Sequence, residues 1–388
     1  MRAYDHSDRR EFIKRAALLT GGVSVTGHSL FAMSTHKKNL QNPLPMWKGF
    51  NLLDFFSPDP KRGYRKTTEE DLKWMSDWGF DFVRIPMAYP AYLEFNRRRD
   101  ITPEEVYHIS EEALERVDRL VYMAHQYHMH VSLNLHRAPG YCINAGFHEP
   151  YHLWKDEAAQ EAFYWHWGMW ARRYKNISRD KISFDLLNEP AMIDDMNNQH
   201  ADKKIVPGEI YAKVAGNAAH AIWKENPGHL VIADGNEVGS KVIPELAHLP
   251  IAQSCRGYYP HIISHYKAPW AMKDIRNLPP LKYPGQVGDQ FLSREMLERF
   301  YDPWIKLARS GTGVHCGECG CYIETPHEIF MAWFGDVVDI LTSNGIGFAL
   351  WNFRGNFGIL DSGRKDVDYE DWHGHKLDRK LLDLILKH

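Results

Sequence analysis

Two glutamates stand where short apolar runs stop. One closes Phe184-Asp185-Leu186-Leu187-Asn188-Glu189-Pro190, in which Pro190 halts a strand and an amide precedes the acid. The other lies in Val314-His315-Cys316-Gly317-Glu318-Cys319-Gly320, between glycines that let backbone or ligand approach closely. A single glutamate at a strand end is commonly a solvated loop residue. Two of them, each in a distinctive local frame, match what cleavage of a glycosidic bond requires. One acts as acid and one as nucleophile, and a separation of about 5–5.5 Å gives retention through a covalent intermediate.

Such a pair meets only if the chain brings two strand ends to one mouth. Apolar, β-prone segments recur at 47–53, 80–89, 130–136, 182–189, 230–234, 251–259, 314–320 and 345–353. Segments with helical spacing lie between and after them, at 67–78, 110–128, 156–174, 207–225, 294–309, 326–343 and 377–386. Eight strands alternating with about eight helices predict an α/β fold of the (β/α)8 TIM-barrel type. Strands four and seven then face each other across the mouth. A doubly wound sheet is the competing arrangement, but no Gly-rich dinucleotide turn follows an early strand. The longest loops, 137–153, 191–206 and 260–290, all fall on the strand-to-helix side, where they would wall a cleft.

At this point the residues resemble a known family. Asn188-Glu189-Pro190 and Gly317-Glu318-Cys319-Gly320 are similar to the acid/base and nucleophile motifs of glycoside hydrolase family 5. Lys48-Gly49-Phe50-Asn51 resembles its first strand, Phe82-Val83-Arg84-Ile85-Pro86 its second, and His136-Arg137-Ala138-Pro139-Gly140 its third. Trp351 in Ala349-Leu350-Trp351-Asn352 resembles the tryptophan of its last strand. One strand departs: Arg256-Gly257-Tyr258-Tyr259-Pro260 carries Arg256 where the family has histidine, while Tyr258 and Pro260 fit. An arginine keeps a donor for a carboxylate or a sugar hydroxyl but does not titrate near neutrality.

The resemblance runs from about residue 46 to the C-terminus. It implies Glu189 as general acid and then base, and Glu318 as nucleophile. Arg84, His136, Asn188, Arg256, Tyr258 and Trp351 are the expected substrate-binding residues, with Trp351 as a flat floor for the sugar. The implied substrate is a β-linked glucan, with β-mannan or β-1,3-glucan as alternatives. No cofactor and no metal are expected. Two competing readings are a glycan-binding barrel without hydrolysis and a metal-dependent hydrolase.

Composition bounds the rest. The chain has 388 residues, with 47 Lys+Arg against 50 Asp+Glu. That lacks the basic excess of a nucleic-acid binder, so no nucleic-acid partner is expected. No apolar run reaches 18 residues, so no membrane span is expected. The 18 Phe, 13 Trp, 19 Tyr and 22 His fit either a Trp-rich core or a cleft lined with flat rings. Trp154, Trp165, Trp167 and Trp170 stay open between helix packing and a distal subsite.

The N-terminal Asp8-Arg9-Arg10-Glu11-Phe12-Ile13-Lys14 resembles a twin-arginine export signal, and residues 16–33 are small and apolar without an acid. Residues 1–40 are therefore read as signal and linker, and 41–388 as the catalytic domain of a periplasmic or secreted monomer. Five cysteines, Cys142, Cys255, Cys316, Cys319 and Cys321, exclude full internal pairing. Free thiols, disulfides and a metal remain open for them, although a second ligand pair of the structural-zinc kind is missing.

Overall fold

A computed structural model describes residues 42–388, apart from positions 64, 145, 199, 200 and 273. The segment read as an export signal lies outside the described residues. All eight expected strands form: β1 (Lys48–Asn51), β2 (Phe82–Ala88), β3 (His130–Arg137), β4 (Ile182–Asp185), β5 (Leu230–Asp234), β6 (Ile251–Gly257), β7 (Val314–Cys319) and β8 (Phe348–Leu350). They pair in parallel, and β1 joins both β2 and β8, which closes the barrel. The fold is the (β/α)8 barrel. Strands β2, β3, β6 and β7 are buried along their whole length, as a parallel sheet covered on both faces requires.

The helices α1 (Glu69–Asp77), α2 (Glu111–Gln126), α3 (Glu157–Arg173), α4 (Gly208–Glu225), α5 (Arg294–Arg309), α6 (His327–Thr342) and α7 (Arg379–Lys387) follow every strand but one. Thr68 starts α1 with a reciprocal pair of capping bonds to Asp71. In α5 the residues Leu297, Tyr301, Trp304 and Ala308 form the buried stripe. After β5 the chain makes only a short turn at Asn236–Gly239 and a 3-10 turn at Pro244–Leu246. Gly235, Gly239, Pro244 and Pro250 interrupt any longer helix there.

Part of the aromatic surplus is packed into the core. Trp167, Trp170, Trp304 and Trp333 are fully buried, and Trp154 nearly so. Trp165 stays exposed, edge-on to Tyr107. Inside the barrel the base is plugged by Trp47, Phe82, His130 and His315, with Trp47 stacked on His130 at 3.9 Å between centroids. Burial pushes His130 down to about 4 and His315 to about 3, so both rings are neutral. Towards the strand C-termini the interior turns polar, with Asn51, Arg84, Asp185, Asp234, Arg256 and Glu318 all buried. A barrel of this type is ordinarily filled by branched apolar side chains, so this layer marks the site.

All five cysteines are buried free thiols. No helix among the described residues is long and apolar enough to cross a membrane.

Gly49 lets β1 lie against β2: a Cβ there would meet the Phe82 carbonyl oxygen at 1.6 Å. Gly49→Ala is expected to lower stability by about 1–3 kcal/mol or more, the range for overpacking. Denaturant unfolding of the variant against wild type checks this.

Candidate active site

Glu318 comes from β7, and its register partner on β6 is Arg256. Adjacent strands thus deliver the acid and the cation together. Glu189 arrives differently. Regular pairing of β4 ends at Asp185, four residues before the glutamate. Leu186 N–H still donates to Ile232 O at 2.9 Å and Asn188 N–H to Leu135 O at 3.1 Å. Glu189 then turns into the left-handed region, with φ of 46°. The Asp234 carboxylate accepts from Glu189 N–H at 2.9 Å, and the Tyr141 hydroxyl donates to Glu189 O at 2.6 Å. A held, strained turn aims this side chain, not the strand itself.

Two arginine forks join the strand ends. Arg84 donates Nη1 to Glu318 Oε1 at 2.6 Å and to Asn51 Oδ1 at 3.0 Å. Its Nε donates to Asp185 Oδ2 at 2.6 Å and its Nη2 to Asn188 Oδ1 at 3.0 Å. Arg256 donates Nε to Glu189 Oε1 at 3.0 Å, and Nη2 to Asn188 Oδ1 at 2.8 Å and Glu318 Oε1 at 3.3 Å. It is also paired through both terminal nitrogens with Asp234. One planar guanidinium therefore bonds both glutamates. The gap between them is that of a single fork, compatible with the short separation of retaining enzymes.

Two guanidinium groups serve four carboxylates: Asp185, Asp234, Glu189 and Glu318. Burial, then the charge of Glu318, pushes Glu189 up to about 8, against the opposing pull of Arg256. Burial, then Asp234, pushes Asp185 up to about 7, against Arg84. Glu189 keeps 13% of its side chain exposed, more than its partners, of which Arg256 keeps 3% and Glu318 4%. It is the member of the cluster with access to the cleft.

The remaining expected residues gather at the same mouth. Tyr258 donates its hydroxyl to Glu318 Oε2 at 3.3 Å. The Trp351 ring is half-buried, 5.4 Å from His136 and 5.4 Å from Phe56 between centroids. His136 bonds Asn144 through Nε2 at 2.8 Å, and burial, followed by the charge of Arg84, holds its ring well below the usual histidine range. Asn188 gives its oxygen to both arginines, while its Nδ2 has no hydrogen bond within the protein. Arg256 is nearly buried, with its donors on protein groups.

Three members were not singled out from the sequence: Asn51 as a ligand of Arg84, Asp185 and Asp234. Asp234 is the last residue of β5, so the strand-end rule that found Glu318 also applies to it. Asp185 is the last residue of β4, so the same rule reaches it. Among the described residues, no group of three or more His, Cys, Asp or Glu is placed to hold a metal ion.

Known proteins place the chain in a family. The family model described as Cellulase (glycosyl hydrolase family 5) matches residues 33–357. This chain belongs to glycosyl hydrolase family 5. It is a glycoside hydrolase, and membership carries the retaining chemistry of that family. A crystal structure of a glycoside hydrolase is 34% identical, with a TM-score of 0.79, over 88% of this chain and 99% of that one. Endoglucanase C of Acetivibrio thermocellus is 26% identical over 327 residues, 78% of this chain and 89% of that protein. Cellodextrinase A of Ruminococcus flavefaciens is 27% identical over 290 residues, 72% of this chain and 76% of that protein.

In this family 5 barrel Arg84 compensates two buried acids at once. Removing its charge in Arg84→Met leaves Asp185 and Glu318 without their closest cation. The variant is expected to lose about 3–5 kcal/mol, as for other broken buried pairs. Urea unfolding at neutral pH measures the loss.

Proposed function

We propose that this family 5 enzyme cleaves β-linked glucan chains by double displacement, with Glu318 as nucleophile and Glu189 as acid and then base. The observation that carries the assignment is the asymmetry of the two carboxyls around Arg256. Glu318 accepts from Arg84, Arg256 and Tyr258, whereas Glu189 has one charged donor and is pushed up to about 8.

In the first step a Glu318 oxygen forms a bond to the anomeric carbon. The bond from that carbon to the leaving oxygen breaks, and the Glu189 proton passes to that oxygen. Once Glu318 is an ester its negative charge is gone. The push on Glu189 weakens, and the carboxylate can take a proton from the incoming water. That water attacks the same carbon from the leaving-group side and releases Glu318. Asn188 Nδ2 is the donor suited to the sugar 2-hydroxyl, a bond that strengthens in the transition state. The Trp351 face, with His136 beside it, suits the C–H face and a hydroxyl of the same sugar.

The glucan reading is supported by the names of the relatives, an endoglucanase and a cellodextrinase. Export through a twin-arginine signal to the periplasm or outside the cell is part of the proposal, supported by Arg9-Arg10 and the apolar run after them. Action as a monomer is part of the same proposal.

Glu318→Ala is expected to lose essentially all turnover of an aryl β-cellobioside, and azide is expected to restore part of it as the α-glycosyl azide. Unchanged turnover in the variant contradicts the role of Glu318. Because Glu189 must be protonated for the first step, kcat/KM is expected to fall as pH rises through about 8. A polysaccharide panel with product analysis separates β-1,4-glucan from β-mannan and β-1,3-glucan, and chain-internal from terminal cleavage. Binding without any product would favour a glycan-binding barrel.

A further inference from the structure

The end of β5 carries a carboxylate that double displacement does not use. Asp234 is fully buried. Its Oδ2 accepts from the Glu189 backbone N–H at 2.9 Å and pairs with Arg256 Nη2, while Oδ1 accepts from Arg256 Nη1 at 3.1 Å. Arg256 passes the hold on, from Nε to Glu189 Oε1 at 3.0 Å. Asp234 thus grips Glu189 twice, at the main chain directly and at the side chain through one guanidinium.

The guanidinium has no freedom to turn. Nη1 also donates to Ser254 Oγ at 3.1 Å, and Nη2 to Asn188 and Glu318. Its stem lies under Gly239, where a Cβ would stand 2.5 Å from Arg256 Cγ. A pair that only neutralised charge would need neither the bond to Glu189 N–H nor the bond to its carboxyl oxygen. The contact also sorts the two oxygens of Glu189. Oε1 faces a permanently charged donor, so the transferable proton belongs on Oε2.

We infer that Asp234 is a positioning residue, and that the Asp234–Arg256 couple fixes Glu189 so that Oε2 presents its proton to the leaving oxygen. This rests on the reading of Glu189 as the acid. The groups facing Glu189 are Arg256 and Tyr258 on β6 and just beyond it, Glu318 on β7, Asp234 on β5, and Tyr141 and Cys142 on the loop after β3. Asp234 favours the protonated acid and Arg256 opposes it. Loss of the Asp234 charge therefore moves the alkaline limb of the pH profile downwards.

The test is Asp234→Asn assayed on two aryl β-glycosides, phenyl and 2,4-dinitrophenyl, of whichever sugar the wild type cleaves. A phenol leaving group needs the proton and a dinitrophenol does not. The couple predicts a kcat/KM loss, which reads the first step alone, of about tenfold or more on the phenyl glycoside, within the reach of acid catalysis. It predicts less than about threefold on the dinitrophenyl glycoside, and an alkaline limb at lower pH. Equal losses on both substrates with an unmoved limb, or wild-type rates on both, overturn it. A wrong sugar shows instead as an inert wild type. If Asp234→Asn does not fold, Arg256→Lys, which keeps the charge and loses the fork, must show the same leaving-group-dependent loss.

Discussion

Charge compensation in a closed mouth governs this molecule. Two buried guanidinium groups, Arg84 and Arg256, hold four carboxyls from β4, β5, β7 and the turn after β4. Two cations cannot neutralise four anions, so the cluster is stable only if part of the acid stays protonated. Glu189 and Asp185 are the groups pushed up, and burial is the first cause for each. The proton that catalysis needs is thus the one that the buried charge balance already retains. The bond network that keeps the mouth folded and the chemistry of the mouth are one arrangement.

The rest of the barrel follows from placing that cluster. A polar layer inside a barrel has no apolar packing of its own to stabilise it. The plug of Trp47, Phe82, His130 and His315 closes the base, and the tryptophan-rich layer outside the strands supplies the burial. Asn51, Asp185, Asp234, Arg256 and Glu318 stand at or near strand C-termini and Arg84 reaches up to them from within β2, so parallel strands in a closed ring are what bring them together. The turn at Glu189 is the exception. It leaves regular backbone geometry and is held by Asp234 and Tyr141.

Much of this was legible in the sequence. All eight strands were marked by apolar runs, and Glu189 and Glu318 by what surrounds them: Pro190 after one, glycines around the other. Arg84, Tyr258 and Trp351 were found through likeness to family motifs at strand ends. What escaped were relations across the barrel. Asp234 matters because β5 lies beside β6 and near the turn after β4, and no local pattern records that adjacency. Arg256 was read as a departure from the family pattern. Its meaning lies in four partners that are distant in sequence, Asn188, Glu189, Asp234 and Glu318. The short turn after β5 stands where one of about eight expected helices would be, and Gly235, Gly239, Pro244 and Pro250 account for it. Which of Trp154, Trp165, Trp167 and Trp170 would be buried was not legible, because helical spacing looks the same for a core stripe and a cleft wall.

The central claim is that Glu318 forms the covalent bond to the sugar. A 2-deoxy-2-fluoro-β-cellobiosyl fluoride slows release of the glycosyl-enzyme, and proteolysis with mass spectrometry then locates the label. The account predicts one sugar adduct, carried by the peptide containing Glu318 and absent from Glu318→Ala. An adduct on any other residue, or turnover that gives the inverted sugar without an adduct, would contradict it.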